Sequence, residues 1–106
     1  MDRDAEKEIM IFHKLIDLKF NIKSVGFDFW KMALFYYVDF DSIVELYKYI
    51  ANRYRRSWSN VEKAMRTAID RNTNNAIRNH YKYEGNQSNI EVLRLIANEI
   101  YSVKEV

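Results

Sequence analysis

The chain has two glycines and no proline in 106 residues, and this scarcity of turn residues constrains its fold more than any other feature. Glycine and proline supply the backbone conformations of tight turns, and an all-β sandwich or barrel needs many such turns. A few helices joined by short polar loops need far fewer. Apolar residues make up 48% of the chain and charged residues 30%, which is typical of a globular domain. The sequence therefore predicts one all-α domain over residues 1–106.

At three places a serine is followed three residues later by a glutamate, directly before an apolar stripe with helical spacing. In such a capping box the serine hydroxyl accepts a hydrogen bond from a first-turn amide, and the glutamate bonds back to the serine amide. The boxes predict three helix starts, by pairing Ser42 with Glu45, Ser59 with Glu62, and Ser88 with Glu91. The stripes that follow are Ile43, Leu46, Ile50 and Tyr54; Val61, Ala64, Met65, Ala68 and Ile69; and Val92, Leu93, Ile96, Ala97, Ile100 and Tyr101.

Periodicity and end signals predict three more helices, for a bundle of about six. They cover about residues 5–19, with a stripe of Ile9, Phe12 and Ile16; about 27–38, after a loop over 21–26, burying Trp30, Ala33, Leu34 and Tyr37; and about 75–83, with Gly85 as a C-terminal stop.

The composition excludes several functional classes. Without cysteine, the chain has no disulfide, thiolate zinc site or cysteine nucleophile. The longest apolar stretch, residues 25–38, contains Asp28 and Lys31 and is shorter than the roughly 20 residues that span a bilayer. Residues 1–8 are mostly charged and lack the apolar core of a signal peptide. We therefore expect a cytoplasmic protein with no membrane segment.

Catalytic and metal-binding signals are missing from the sequence. Neither histidine, His13 or His80, has a carboxylate cluster with ligand spacing beside it, so both are interpreted as core or surface side chains. The sequence has no glycine-rich phosphate loop, nucleophile motif or convergent acid–base pair. We infer that the chain is not an enzyme and uses no cofactor, metal or small-molecule substrate.

Positive charge is concentrated in one segment. Residues 53–71 contain six Arg and Lys against two acidic residues, a net charge of +4, while the whole chain carries only +2. A basic segment on a near-neutral background indicates a surface that meets a polyanion. We therefore expect this segment to contact nucleic acid.

The basic segment has the spacing of a helix-turn-helix unit. The helices predicted over 42–54 and 59–71 are separated only by residues 55–58. The apolar residues of the second helix share one face, where Ala64 and Ala68 allow the preceding helix to approach closely. Its opposite face presents Asn60, Lys63, Arg66, Thr67 and Asp70, and we expect Lys63 and Arg66 to project outward, unpaired and free to enter a groove.

That outer face matches the chemistry of DNA. The major groove admits one helix; arginine and lysine pair with guanine, asparagine with adenine, and a glutamate can accept from cytosine. Near the helix start, phosphate oxygens suit the side chains of Arg55, Arg56, Ser57 and Ser59. The alternative is that the face is only solvated and Glu62 serves only the capping box. Trp58 either packs the turn onto the bundle, which we favour, or lies against the DNA backbone.

Two segments, LYKYIANRY (46–54) and SWSNVEKAMRTAI (57–69), resemble the C-terminal DNA-binding domain of the sporulation-initiation response regulator of endospore-forming bacteria. That family carries the patterns LYP-x-IAKKY and T-x-S-R-VERAIRHAI, and weaker similarity extends over most of the chain. The resemblance implies duplex DNA binding through the second helix. It places base contacts on Asn60, Glu62, Lys63 and Arg66, with Thr67, Ser57 and Ser59 nearer the DNA backbone.

The chain departs from the family pattern in ways that bear on function. Asn60 and Lys63 replace arginines, which weakens bidentate reading of guanine, while Lys48 replaces a proline and Trp58 a small turn residue. About a dozen residues precede the matching region, too few for the family's phosphoacceptor receiver domain, so we expect a stand-alone effector or an excised domain.

These observations predict a sequence-specific double-stranded DNA-binding protein, a nucleoid-associated transcription regulator that reads the major groove with residues 59–71. A second copy on an adjacent half-site is a possible partner. Two alternatives stay open: a helical interaction module that antagonises a related regulator, and a plasmid or conjugation accessory protein that binds DNA.

Overall fold

A computed structural model of the chain describes residues 3–85 and 87–102. Over these residues the fold is all-α, which confirms the predicted class. The predicted domain also includes residues 1, 2, 86 and 103–106, which lie outside this description. None of the described helices is long and apolar enough to cross a membrane. The helices are α1 (Arg3–Asp17), α2 (Val25–Phe35), α3 (Ile43–Tyr54), α4 (Trp58–Asp70), α5 (Ala76–Tyr81) and α6 (Asn89–Ser102), with 3-10 turns at Tyr37–Asp39 and Thr73–Asn75.

Two of the three predicted serine caps are confirmed. The hydroxyl of Ser42 accepts from the amide of Glu45 at 3.1 Å, and that of Ser88 accepts from the amide of Glu91 at 3.3 Å. The prediction for Ser59 is wrong by two residues, because α4 is capped by Ser57 and begins at Trp58. The helix predicted over 59–71 is therefore Trp58–Asp70.

The boundaries of α2 and α5 also differ from the prediction. Ser24, in the expected loop over 21–26, caps α2 through the amide of Phe27 at 3.2 Å, so the helix already includes Gly26. It ends at Phe35 rather than near residue 38. Helix α5 stops at Lys82, whose left-handed backbone (φ 55°) ends the helix before Gly85 is reached.

The buried core confirms the predicted stripes of α4 and α6, but that of α1 holds only at Phe12, which is half-buried against the core. Ile9 and Ile16 are exposed, and α1 instead buries Ile11 and Leu15, followed by Leu18 just beyond its end. Both sets have helical spacing, and packing against α2 selects between them. In α3 the predicted Tyr54 is likewise exposed, and the buried set is Leu46, Tyr47, Ile50 and Ala51.

Helices α2 and α4 approach each other closely at Gly26. A Cβ at that position would lie 2.7 Å from the carbonyl oxygen of Ala64 and 3.0 Å from the Cβ of Ala68. The fully buried Trp30 of α2 also donates from Nε1 to the carbonyl oxygen of Met65 at 3.0 Å. Ala64 and Ala68 thus permit a close helix contact, as predicted. The helix that contacts them at Gly26 is α2, whereas the sequence predicted the preceding helix, α3.

Replacing Gly26 with alanine tests this contact, because helix propensity and overpacking predict opposite signs for the change in the free energy of unfolding. Helix propensity alone would stabilise the domain by roughly 0.5–1 kcal/mol. The close approach to the Ala64 backbone predicts the opposite, a loss of about 1–3 kcal/mol from overpacking. Urea unfolding of Gly26→Ala and wild type measures the difference, and a more stable variant would show that the crossing has room for a methyl group.

Candidate nucleic-acid interface

The turn between α3 and α4 consists of residues 55–57, one fewer than predicted. Arg55 adopts the left-handed conformation (φ 55°, ψ 47°) that glycine usually takes at a helix end. The next amide, that of Arg56, bonds back to the carbonyl oxygen of Ala51 at 2.9 Å. A tight turn forms without glycine, and it leaves the side chains of Arg55 and Arg56 exposed.

The start of α4 is held by an aromatic stack and a buried amide. The ring of Trp58 lies nearly parallel to that of Tyr47 (7°, centroids 6.3 Å apart), in agreement with the predicted packing of this tryptophan onto the bundle. Nδ2 of the buried Asn89 donates to the Tyr47 hydroxyl at 3.1 Å and to the carbonyl oxygen of Glu62 at 2.9 Å. Burial raises the pKa of Tyr47, so the phenol stays neutral.

The outer surface of α4 divides into two stripes. Val61, Met65 and Ile69 point inward and are fully buried, as predicted. Of the predicted contact residues, Asn60, Lys63 and Thr67 form the first stripe, which faces the loop between α1 and α2. Glu62 and Arg66 form the second stripe, on the neighbouring face.

The first stripe is one wall of an open groove of about 950 Å³. The opposite wall is formed by the end of α1, the α1–α2 loop and the start of α2. The polar residues that line the groove are Lys19, Asn21, Ser24, Arg56, Asn60, Lys63, Thr67, Arg71 and Thr73, and the apolar ones are Ile16, Phe20, Ile22, Val25, Gly26, Ala64 and Ala68.

The charges of this groove, which we call the α4 groove, all have one sign. Among its described lining residues four are cationic and none is acidic. A concave surface with uncompensated positive charge concentrates anions. The groove therefore has the electrostatic character of a polyanion site, while its asparagine, threonine and serine side chains add neutral hydrogen-bond donors.

The second stripe carries an ion pair that sequence analysis did not predict. Arg66 was expected to be unpaired, but its guanidinium lies 3.0 Å from the carboxylate of Glu62, one helical turn away. Both side chains are partly exposed, at 52% and 29% of their free surface. An exposed pair of this spacing contributes about 0.3–0.5 kcal/mol, so it orients Arg66 without locking it in place.

The remaining predicted contact residues surround the start of α4. Ser57 is committed to its cap, and its hydroxyl is 3.2 Å from that of Ser59, which is exposed in the first turn. Arg56 lines the α4 groove, and its guanidinium also lies 5.7 Å from the ring centre of Phe29. Arg55 projects from the turn itself.

Two cations of the α4 groove, Lys19 and Arg71, are not among the contact residues predicted from the sequence. Arg71 follows Lys63 and Thr67 at intervals of four residues, so extending the helical wheel by one turn would have found it. Lys19 lies far from α4 in the sequence, and only the packing of α1 and α2 brings it to the groove. No local signal identifies such a residue.

The two histidines lie away from this surface. His80 Nε2 is 3.0 Å from Glu99 Oε1, and Lys14 binds the same carboxylate, whereas His13 is exposed. Burial raises the pKa of Glu99, but hydrogen bonds from Lys14, Tyr81 and His80 outweigh it and lower the pKa below its usual value. In residues 3–85 and 87–102 no group of three potential metal ligands is found. The Glu99 carboxylate therefore joins α6 to α1 through an ion pair with Lys14 and to α5 through a hydrogen bond with His80.

Comparison with known proteins finds no protein-family model, curated protein or solved structure that matches this chain.

The cap assignment at α4 is tested by two neighbouring serines. Ser57→Ala removes the acceptor for the amide of Asn60 and is expected to lower the free energy of unfolding by about 1 kcal/mol. Ser59→Ala is the matched control and should change it by less than about 0.5 kcal/mol. Chemical denaturation of both variants compares them, and a larger loss for Ser59→Ala would restore the original capping box.

Proposed function

We propose that this chain binds double-stranded DNA, with α4 in the major groove, and that it acts as a transcription regulator. The observation that carries the proposal is the α4 groove, in which Lys19, Arg56, Lys63 and Arg71 come together without an acidic residue among the described lining. A phosphodiester backbone supplies the regularly spaced negative charge that such a surface attracts. The resemblance of residues 46–54 and 57–69 to the sporulation-regulator domain supports the same docking mode.

The exposed residues of α4 and of the turn before it support two kinds of contact. Asn60, Lys63 and Arg66 are exposed and offer donors suited to purine edges in the major groove. Arg55, Arg56 and Thr67 lie beside them and suit phosphate oxygens. In this proposal α3, the short turn and α4 act as the helix-turn-helix unit, and Glu62 orients Arg66 instead of reading a base itself.

The ion pair between Glu62 and Arg66 does not oppose this role. Its contribution of about 0.3–0.5 kcal/mol is small beside the roughly 1–3 kcal/mol of discrimination that a good bidentate base contact provides. Arg66 can therefore exchange the carboxylate for a guanine edge when DNA is present. Until then the pair holds the guanidinium near the helix surface.

A protein-interaction module is the second candidate, and one observation favours it. Ile16, Ile22 and Val25 are exposed along the α4 groove, at 38%, 50% and 36% of their free surface. An acidic amphipathic helix could pack on these side chains while its carboxylates meet the lysines. The first experiment is therefore a selection of duplexes from a random pool, followed by fluorescence anisotropy at two salt concentrations. Failure to bind any duplex above background would favour the protein partner.

Arg66 is the sharpest test of base reading. Arg66→Ala is expected to weaken binding to the selected duplex by about 1–3 kcal/mol and to relax one base preference, with little change on random DNA. Arg94→Ala is the matched control, because Arg94 is 54% exposed and pairs with Glu91 on α6 in a similar way. Equal losses on selected and random duplexes would remove Arg66 from the base-reading set.

Arg55 tests backbone contact without disturbing the fold. Because Arg55 has a left-handed backbone, Arg55→Gly removes the cation while relieving a conformational cost of roughly 1–2 kcal/mol. We expect unchanged or higher thermal stability, weaker binding to every duplex, and a salt slope reduced by about 0.9.

The control for Arg55→Gly is Lys82→Gly, which removes an exposed cation at another left-handed position, outside the α4 groove. Identical salt slopes for the two variants would contradict a phosphate contact at Arg55. A second copy on an adjacent half-site stays a prediction that the length and symmetry of the selected duplexes would test. Action at the nucleoid also stays a prediction.

A further inference from the structure

We infer that the loop between α1 and α2, residues 18–24, is a second DNA-contacting element that holds the phosphodiester backbone beside α4. The inference rests on the proposed function and adds a binding site to it. The loop lines the wall of the α4 groove opposite the helix, and Lys19 is the cation that it contributes.

The backbone at Lys19 is fixed by the end of α1. Lys19 has a left-handed backbone (φ 65°). Its amide donates to the carbonyl oxygen of Ile16 at 2.9 Å, and the amide of Phe20 donates to the carbonyl oxygen of Leu15 at 3.1 Å. This is the hydrogen-bond pattern of a Schellman cap. The next side chain, Phe20, is buried edge-on against the ring of Trp30. The backbone that carries Lys19 is therefore anchored on both sides.

A second contact ties the loop to the end of α4. Nδ2 of Asn72 donates to the carbonyl oxygen of Leu18 at 2.7 Å, while its Oδ1 accepts from the amide of Ile77 at 3.1 Å. Asn72 directly follows Arg71, so the two cations at this end of the groove, Lys19 and Arg71, project from backbone segments joined by one side chain. Cations on rigid, connected segments bind an anion with a smaller entropic cost than cations on free loops.

The dimensions of DNA place a backbone strand in this groove. A helix with its side chains is about 10–12 Å across, and the major groove is about 12 Å wide. With α4 in the major groove, a sugar–phosphate strand must therefore run directly along each side of the helix. The α4 groove lies on one of those sides, and its cations Lys19, Arg56 and Arg71 line the space that the strand would occupy.

Charge favours this occupant over an acidic peptide. A phosphodiester strand has a negative charge at every nucleotide, whereas the carboxylates of an amphipathic helix lie on one of its faces only. The cations of the groove are distributed over both walls, on the loop at Lys19 and along α4 at Lys63 and Arg71. A ligand charged along its whole length neutralises both walls at once.

The test compares Lys19→Gly with Lys82→Gly in the full chain. Both substitutions remove one exposed lysine from a left-handed position that accepts glycine, so both variants are expected to fold, which thermal unfolding checks. Because phosphate contacts do not depend on sequence, the probe is a labelled mixed-sequence duplex, titrated from roughly 50 to 200 mM salt. Poly-L-glutamate serves as a parallel acidic polypeptide probe.

We expect Lys19→Gly to weaken duplex binding on the order of tenfold at about 0.1 M salt and to lower the salt slope by about 0.9, with little change for Lys82→Gly. If Arg55→Gly weakens duplex binding while Lys19→Gly and Lys82→Gly behave alike, the loop contact is wrong and the proposed function stands. If the wild type binds poly-L-glutamate but no duplex, and Lys19→Gly reduces that binding, the groove serves a protein and both proposals fail.

Discussion

The contact between α2 and α4 at Gly26 determines which face of α4 points outward. The two helix backbones meet there with only the hydrogen of Gly26 and the methyl groups of Ala64 and Ala68 at the contact. Trp30 also donates a hydrogen bond to the α4 backbone, at the carbonyl oxygen of Met65. An α4 held by contacts at backbone level cannot rotate about its axis without losing them. The stripe of Asn60, Lys63 and Thr67 therefore keeps one orientation, and the adjoining groove exists because α2 lies so close.

Local sequence signals predicted the structure correctly where a single capping serine or a single apolar stripe was available. The hydroxyls of Ser42 and Ser88 cap their helices as the sequence predicts, and the stripe of Val61, Met65 and Ile69 is buried. At α4 two serines compete, and local chemistry does not rank them. Ser57 is the cap, and Trp58, in the first turn of the helix, stacks on Tyr47 of α3, a tertiary contact that local sequence does not reveal.

Local sequence signals failed where tertiary packing decides which of two equivalent apolar stripes is buried, or brings together residues far apart in the sequence. The two apolar stripes of α1 both have helical spacing, and only packing in the bundle buries Leu15 and leaves Ile16 exposed. Two of the four groove cations, Arg56 and Lys63, were recognisable as contact residues from the sequence, because Arg56 lies just before the predicted helix and Lys63 on its outer face. Lys19 was not, since its place in the groove depends on where α1 ends.

The separation of charge on α4 explains how a chain with a net charge of only +2 is compatible with the proposed polyanion site. The acidic residues of the basic segment, Glu62 and Asp70, are absent from the described groove lining, and Glu62 is paired with Arg66 on the neighbouring stripe. Lys63 and Arg71 therefore face a space without a counter-charge. Since screened interactions fade within about 10 Å at 0.1 M salt, this local arrangement has a greater effect on an approaching phosphate than the charge of the whole chain. In the proposed DNA complex, the groove cations Lys19, Arg56 and Arg71 supply sequence-independent attachment. Asn60, Lys63 and the exchangeable Arg66 then discriminate between bases.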